Sequence, residues 1–242
     1  ISNGTIDGKD YYRANIYAQD RTKLSKKLYA QYGLRFEYFA INKKAYLSPR
    51  LNISYAIDKV TTLRGGTGVY YQSPGYEKLI DAQVFYDLSE EKAARLEAER
   101  SIHYILGAER WLSNDLIARV ETYYKQFSNL IVQEKLTGYR YEYYPYDPNN
   151  TDPTYLRDPD NWYRSSTKLP YDSVTATPVN GAKGYAYGFE LFLEKKAVNP
   201  SQKFSGWISY SLSYANRQRD GLTTPFRYDQ RHSVNLVANY KI

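Results

Sequence analysis

With 242 residues and neither a cysteine nor a methionine, the chain is long enough for one large or two ordinary domains but carries no disulfide and no thiolate metal site. The formal charge of +7 is spread along the chain, with no run of five or six consecutive Lys or Arg, which argues against a nucleic-acid partner. A mean hydropathy of -0.69, with no run of about 18 apolar residues, excludes a membrane-spanning helix. It does not exclude a barrel, in which only every second residue meets lipid.

Tyrosine dominates the aromatics, with 29 copies against 8 Phe, and a ring with an apolar body and a wet tip suits a boundary between oil and water. The chain starts at Ile1 with no visible signal peptide. With no methionine anywhere, we expect it to be part of something longer.

Taken in chain order, period-two alternation predicts nine strands, at about 10–22, 27–39, 48–57, 61–72, 99–111, 116–131, 183–196, 204–216 and 228–241. In the second, Leu28, Ala30, Tyr32, Leu34, Phe36 and Tyr38 share one face, while Lys27, Tyr29, Gln31, Gly33, Arg35 and Glu37 share the other. The same split recurs where Arg50, Asn52 and Ser54 oppose Leu51, Ile53 and Tyr55, and where Val234, Leu236, Ala238 and Tyr240 oppose Ser233, Asn235 and Asn239. Most of these strands reach ten residues. Soluble strands average about five or six, whereas a tilted strand needs about nine to eleven to cross a bilayer.

Short turns are expected at Ser25-Lys26, Asp58-Lys59, Ser113-Asn114-Asp115 and Asn199-Pro200-Ser201. The alternate connections are longer, at about 40–47, 73–98, 132–182 and 217–227. Short turns on one rim and long loops on the other suit an antiparallel up-and-down transmembrane β-barrel section. Within the second long connection, DLSEEKAARLEAER predicts a brief helix with Asp87 as N-cap and Glu90 three residues on.

Five phrases carry a resemblance: YAQYGLRFEYFAIN, LSPRLNISYAIDKVTTLRGGTGVYYQSPGYEKL, AERSIHYILGAERWLSNDLIARVETYYKQFSNLI, GAKGYAYGFELFLEKK and PFRYDQRHSVNLVANYKI. In order, they resemble the C-terminal-side portion of the β-barrel domain of a TonB-dependent outer-membrane receptor. The resemblance implies a 22-stranded barrel of which about nine strands are present here. It also implies an N-terminal plug domain and a TonB box lying outside residues 1–242, and final hairpins after Ile242. The partners implied are the lipid bilayer, the plug, the TonB complex and a scarce solute (an iron-siderophore, vitamin, glycan or peptide), with a surface lipoprotein as a further candidate. The implied location is the outer membrane of a Gram-negative bacterium, and the implied role is transport rather than catalysis.

On the polar face, Arg13, Arg35, Glu37, Arg50, Arg64, Glu109, Arg119, Glu121, Lys125, Glu190, Glu194 and Arg231 are expected to line the lumen. Such charges serve as a solvated wall, as cross-strand ion pairs and as a plug-docking surface, and an arginine excess would also suit an anionic solute. In the 132–182 connection, long enough to be functional, Tyr139, Arg140, Tyr141, Tyr143, Tyr144 and Tyr146 are ligand-contact candidates, with Trp162 and Tyr163 beside them. Asp147, Asn149, Asp152, Asp158 and Asp160 are oxygen ligands of the kind Ca²⁺ takes, without EF-hand spacing and in a segment of Asp-Pro turns. No other metal and no cofactor is expected.

His103 and His232 have no catalytic neighbours in sequence, and Gly65, Gly66 and Gly68 fall inside a strand, where they allow curvature or close approach. Two alternatives stay open at this point: a soluble Tyr-rich β-sandwich that binds carbohydrate, and an outer-membrane barrel enzyme. The first requires Leu28, Leu34, Ile53, Val120, Leu191 and Leu236 to pack against a second sheet.

Overall fold

The computed structural model describes residues 12–74, 86–199, 201–227 and 229–241. Residues 10 and 11 of the first expected strand, 75–85 of the second long connection, Pro200 of the fourth turn and Tyr228 of the last expected strand lie outside them.

The strands are β1 Arg13–Lys23, β2 Leu28–Phe39, β3 Lys44–Ala56, β4 Thr61–Gln72, β5 Glu99–Trp111, β6 Leu116–Pro145, β7 Trp162–Lys195, β8 Phe204–Arg219, β9 Leu222–Pro225 and β10 His232–Tyr240. Two short helices join them, α1 Glu90–Arg95 and α2 Pro153–Arg157. The sheet order is β1-β2-β3-β4-β5-β6-β7-β8-β10, with β9 on β8, and the neighbours within β1–β6, β7 and β8, β8 and β9, and β8 and β10 pair antiparallel.

Among the described residues ten strands thus replace the expected nine. The addition, β9, pairs Leu222–Pro225 with the end of β8 inside the expected 217–227 connection. The 132–182 segment is strand at both ends, because β6 runs on to Pro145 and β7 begins at Trp162. The described residues form two compact units, one drawn from residues before Gln133 and after Thr177, the other Gln133–Thr177.

Register carries the alternation across the first unit. Ala30, Ile53, Gly65, Leu106 and Thr122 lie in one line across β2 to β6, and Leu193, Ile208 and Leu236 in another across β7, β8 and β10. This apolar face is open: Leu34 is 47 % exposed, Leu106 66 % and Leu236 70 %. The strands belong to one sheet, so no second sheet among the described residues covers these side chains. That arrangement overturns the sandwich alternative.

Local chemistry fixes the short turns. Ser25 Oγ accepts from the backbone N–H groups of Lys27 and Leu28, and Asp58 Oδ1 accepts from those of Val60 and Thr61 at 2.8 and 2.7 Å. Asp115 joins two turns. Its carboxylate accepts from Ser113 Oγ, Lys195 Nζ and Gln202 Nε2 at 2.6, 2.5 and 2.9 Å, and its carbonyl accepts from Lys196 N at 2.8 Å.

The expected N-cap at Asp87 is corrected to Ser89. Asp87 lies two residues before it, where Oδ1 accepts from Ser89 N and Oδ2 from Lys92 Nζ. These bonds brace the entry to a helix too short to stand on propensity. Its Ala93 packs with Phe39, Ile41 and Ala98, while Leu88 and Leu96 pack with Tyr86 and Ile131.

Alternation breaks at Asn129 in β6. Asn129 has φ 58°, and the ladder between β5 and β6 ends one residue earlier at Arg100↔Ser128. Beyond this bulge the parity shifts, so Leu130 and Val132 join Phe127, Ala182 and Phe226 in one cluster.

Candidate functional site

At the end of the polar face toward the longer connections, β4, β5, β6, β8 and β9 surround a cleft of about 830 Å³. Tyr70, Ser101 and Phe127 form one line across three strands. Arg217, Phe226 and Arg227 complete the wall from the far side. Phe127 meets Phe226 edge to face at 5.9 Å. Arg217 Nη2 donates to Ile131 O at 2.8 Å, and Ile131 N donates to Glu99 Oε1 at 2.8 Å. The buried Nε of Arg217 and the buried hydroxyl of Ser101 have no partner among the described residues. Such groups cost stability unless an acceptor completes them, so the cleft offers aromatic surface beside hydrogen-bonding capacity.

The segment leading into β5 is pinned beside this cleft. Asn180 Oδ1 accepts from Glu97 N at 2.8 Å, and its Nδ2 donates to Glu97 O at 3.0 Å and to Asn129 O at 2.7 Å. From the other side, Tyr46 accepts from Ala98 N and donates to Glu97. The hydrogen bond from Lys44 holds the Glu97 carboxyl below its usual range.

The charged residues expected on the polar face fall there by register, with one departure. Arg35 pairs with Glu37 at 3.2 Å, and Glu37 accepts from the fully buried Ser48 at 3.0 Å. Glu109 is held between Arg64 at 3.1 Å and Arg119 at 2.7 Å, and Arg119 also faces Glu194 at 3.9 Å. Arg50, Glu121 and Lys125 lie on this face through β3 and β6, Arg13 through β1 and Glu190 through β7. Arg231 departs from the alternation. Its guanidinium stacks 4.3 Å over Tyr214, on the apolar face opposite Tyr187, and its Nε donates to Asp229. Arg231 lies just before β10 begins, and although its carbonyl still accepts from Ser213 N at 3.0 Å, its side chain follows Asp229 and Tyr214 instead.

The second unit holds all eight ligand candidates, and alternation divides them. Tyr139, Tyr141, Tyr143 and Trp162 share one face, with Lys168 over Tyr139 at 6.0 Å and Arg164 over Tyr141 at 4.3 Å. Arg140, Tyr144, Tyr146 and Tyr163 share the other, where Tyr163 lies 6.0 Å from Tyr144 and 5.4 Å from Tyr146, and Arg140 sits over Tyr171. Two aromatic surfaces result, not one cluster.

The connection between β6 and β7 uses its acids to shape backbone. Asp147 accepts from Asn149 N, Asp152 from Thr154 N at the start of α2, and Asp158 from Asp160 N. Among the described residues no three of His, Cys, Asp and Glu gather as a metal site. His103 packs against Tyr70 with the two rings tilted by 32°, and His232 shares a hydrogen bond with Tyr210.

Tyr70, Ser101, Phe127, Arg217 and Phe226 were missed as site residues. Aromatic rings at Tyr70 and Phe127 on an otherwise polar face were the available signal. For Arg217 and Phe226, placed by the β8–β9 pairing, there was none.

In sequence, residues 2–242 match the model of the family described as TonB dependent receptor-like, beta-barrel, while no curated protein matches the chain. The fold is similar to that of the alcaligin outer membrane receptor FauA from Bordetella pertussis, with TM-score 0.57 and 15% identity over 96% of this chain and 34% of that one. It is also similar to the siderophore receptor PirA from Acinetobacter baumannii, with TM-score 0.56 and 14% identity over 95% and 33%. The copper transporter OprC gives TM-score 0.59 and 11% identity over 96% and 33%. The chain spans about a third of the length of these structures. It belongs to the TonB-dependent receptor-like β-barrel family.

Proposed function

We propose that this chain forms part of the barrel wall of a Gram-negative outer-membrane receptor that takes up a scarce solute by TonB-energised transport. The apolar face meets lipid and the polar face encloses the lumen and a plug domain. The solute reaches the cleft lined by Tyr70, Phe127, Arg217 and Phe226 after contact with the tyrosine-rich hairpin, which is also the surface offered to any accessory lipoprotein.

The cleft carries this reading: it joins aromatic walls to a buried, uncompleted guanidinium on the face away from the exposed apolar side chains. FauA is an alcaligin receptor, PirA a siderophore receptor and OprC a copper transporter, so cargo varies across this fold and the solute is to be found by experiment. A transport role in place of catalysis belongs to the same proposal.

The test uses a deletion strain complemented with the full-length gene and grown on iron-siderophores, vitamins, glycans or peptides as limiting nutrient. One class should restore growth only with an intact TonB complex, and Arg217→Gln should raise the concentration needed about tenfold at unchanged outer-membrane abundance. Growth indifferent to TonB would refute the reading.

A further inference from the structure

The line of the polar face one step closer to the short turns than Tyr70 has an unusual charge pattern. Across six strands it reads Gln19, Gly33, Arg50, Gly68, His103 and Lys125. The next line toward the turns is Arg21, Gln31, Asn52, Gly66, Ile105 and Tyr123. The line on the other side holds Tyr17, Arg35, Ser48, Tyr70, Ser101 and Phe127. These three lines contain four Arg or Lys and no Asp or Glu.

Other cations of this face are ion-paired, Arg64 and Arg119 with Glu109 and, within these three lines, Arg35 with Glu37. Arg50 and Lys125 instead contact aromatic rings, with Arg50 4.6 Å over Tyr70 and Lys125 4.7 Å over Tyr123. The Nε of Arg50 is buried without a partner. The His103 ring lies 4.4 Å from the same Tyr70 ring, tilted by 32°.

Gly68 makes the arrangement possible. A Cβ there would stand 3.2 Å from Arg50 Cγ and 3.1 Å from the Tyr70 ring, so the glycine lets the arginine lie across β4 toward His103. Strands are about 4.8 Å apart, which places Lys125 one strand from His103 and Arg50 two strands away on its other side, so that an ion at His103 is met from both sides. An uncompensated, partly desolvated cation line of this kind draws a counter-ion, and a guanidinium with a free edge suits an oxyanion.

We propose that Arg50, His103 and Lys125 form a second station for a solute oxyanion, phosphate or carboxylate, one step deeper in the lumen than the cleft and sharing Tyr70 with it. This inference rests on the polar face being the lumen of a transporter.

The test is calorimetric titration of inorganic phosphate into the full-length protein in detergent at low ionic strength. Saturable binding is expected, about tenfold weaker in Arg50→Gln and within about twofold of the parent in Arg64→Gln, which removes the same charge from an ion-paired position. Gly68→Ala keeps every charge but displaces Arg50, and should weaken binding several-fold. Absence of saturable binding overturns the proposal, and is also the result expected if a carboxylate of the receptor's own chain fills the line. An equal loss in Arg50→Gln and Arg64→Gln overturns it too, since only overall charge would then matter. Phosphate binding is read without transport, so loss of the station with TonB-dependent uptake intact sinks this inference alone.

Discussion

Leu106 and Ile105 are neighbours in β5 that the register sends to opposite faces, Leu106 beside Gly65 and Thr122 and Ile105 beside Gly66 and Tyr123. Leu106 is 66 % exposed and lies five residues before the strand ends at Trp111. At about 3.4 Å per residue and a tilt of roughly 40°, that is about 13 Å from the turn, close to the middle of an apolar band about 25 Å tall. An arginine at that depth on the lipid face costs about 2–4 kcal/mol, or roughly 30- to 1,000-fold in the folding equilibrium. Ile105→Arg faces a groove of about 420 Å³ lined by Gly66, Gln31 and Asn52, and should cost less than about 1 kcal/mol, because a charge on the lumen side keeps its water. Guanidinium titration of the full-length protein folded into lipid vesicles, followed by tryptophan fluorescence, measures both. If Ile105→Arg proves the costlier change, the assignment of faces is inverted and the reasoning fails.

Asn180→Ala removes all three bonds that hold Glu97 and Asn129, and at about 1 kcal/mol per bond should destabilise the first unit by about 1–3 kcal/mol. Amide exchange should quicken at residues 93–98, and unchanged protection there would show that the hydrophobic contacts of Ala93 and Leu96 suffice. Hydrogen bonds from Lys195 and then Ser113 hold Asp115 at about 2, against an ordinary 3.8. Because its folded value is depressed, its stabilising contribution is complete above pH 4 and is lost as pH falls toward 2. Asp115→Asn should flatten that part of an acid-stability curve, and a variant curve parallel to the parent's counts against the clip.

The sequence announced the fold wherever one residue decides one face. Gln31, Arg35 and Glu37 against Leu34 and Phe36 state a period of two at bilayer length, and polar turns at Ser25, Asp58 and Asp115 give the antiparallel order. What failed was whatever depends on distant pairing. The 132–182 segment was expected as a connection because Tyr, Arg, Glu and Lys on both faces of 133–145 and 162–177 show no apolar side, yet a ribbon wet on both faces needs none. Asn129 gave no warning that its positive φ shifts the parity of Leu130 and Val132. The cap at Asp87 was read from side-chain type, whereas the helix starts at Ser89 and leaves Asp87 to brace the turn before it. In the cleft, Arg217 was invisible because its role comes from Ile131 and Phe226, which are remote in sequence.

The two faces are held by different physics, and that difference explains where function can sit. On the apolar face, Leu34, Leu106 and Leu236 contribute by contact with whatever surrounds the sheet, and any residue of similar hydrophobicity would do. The opposite face has to satisfy every charge it carries. It does so with pairs near the turns, where Glu109 serves two arginines, and with bonds to Asn180 and Tyr46 near the longer connections. Among the described residues this falls short at Arg50, between those zones, and at Arg217, in the cleft beside the longer connections, where each keeps a buried Nε without an acceptor. Both arginines lie where the proposed oxyanion would supply the partner that the fold does not.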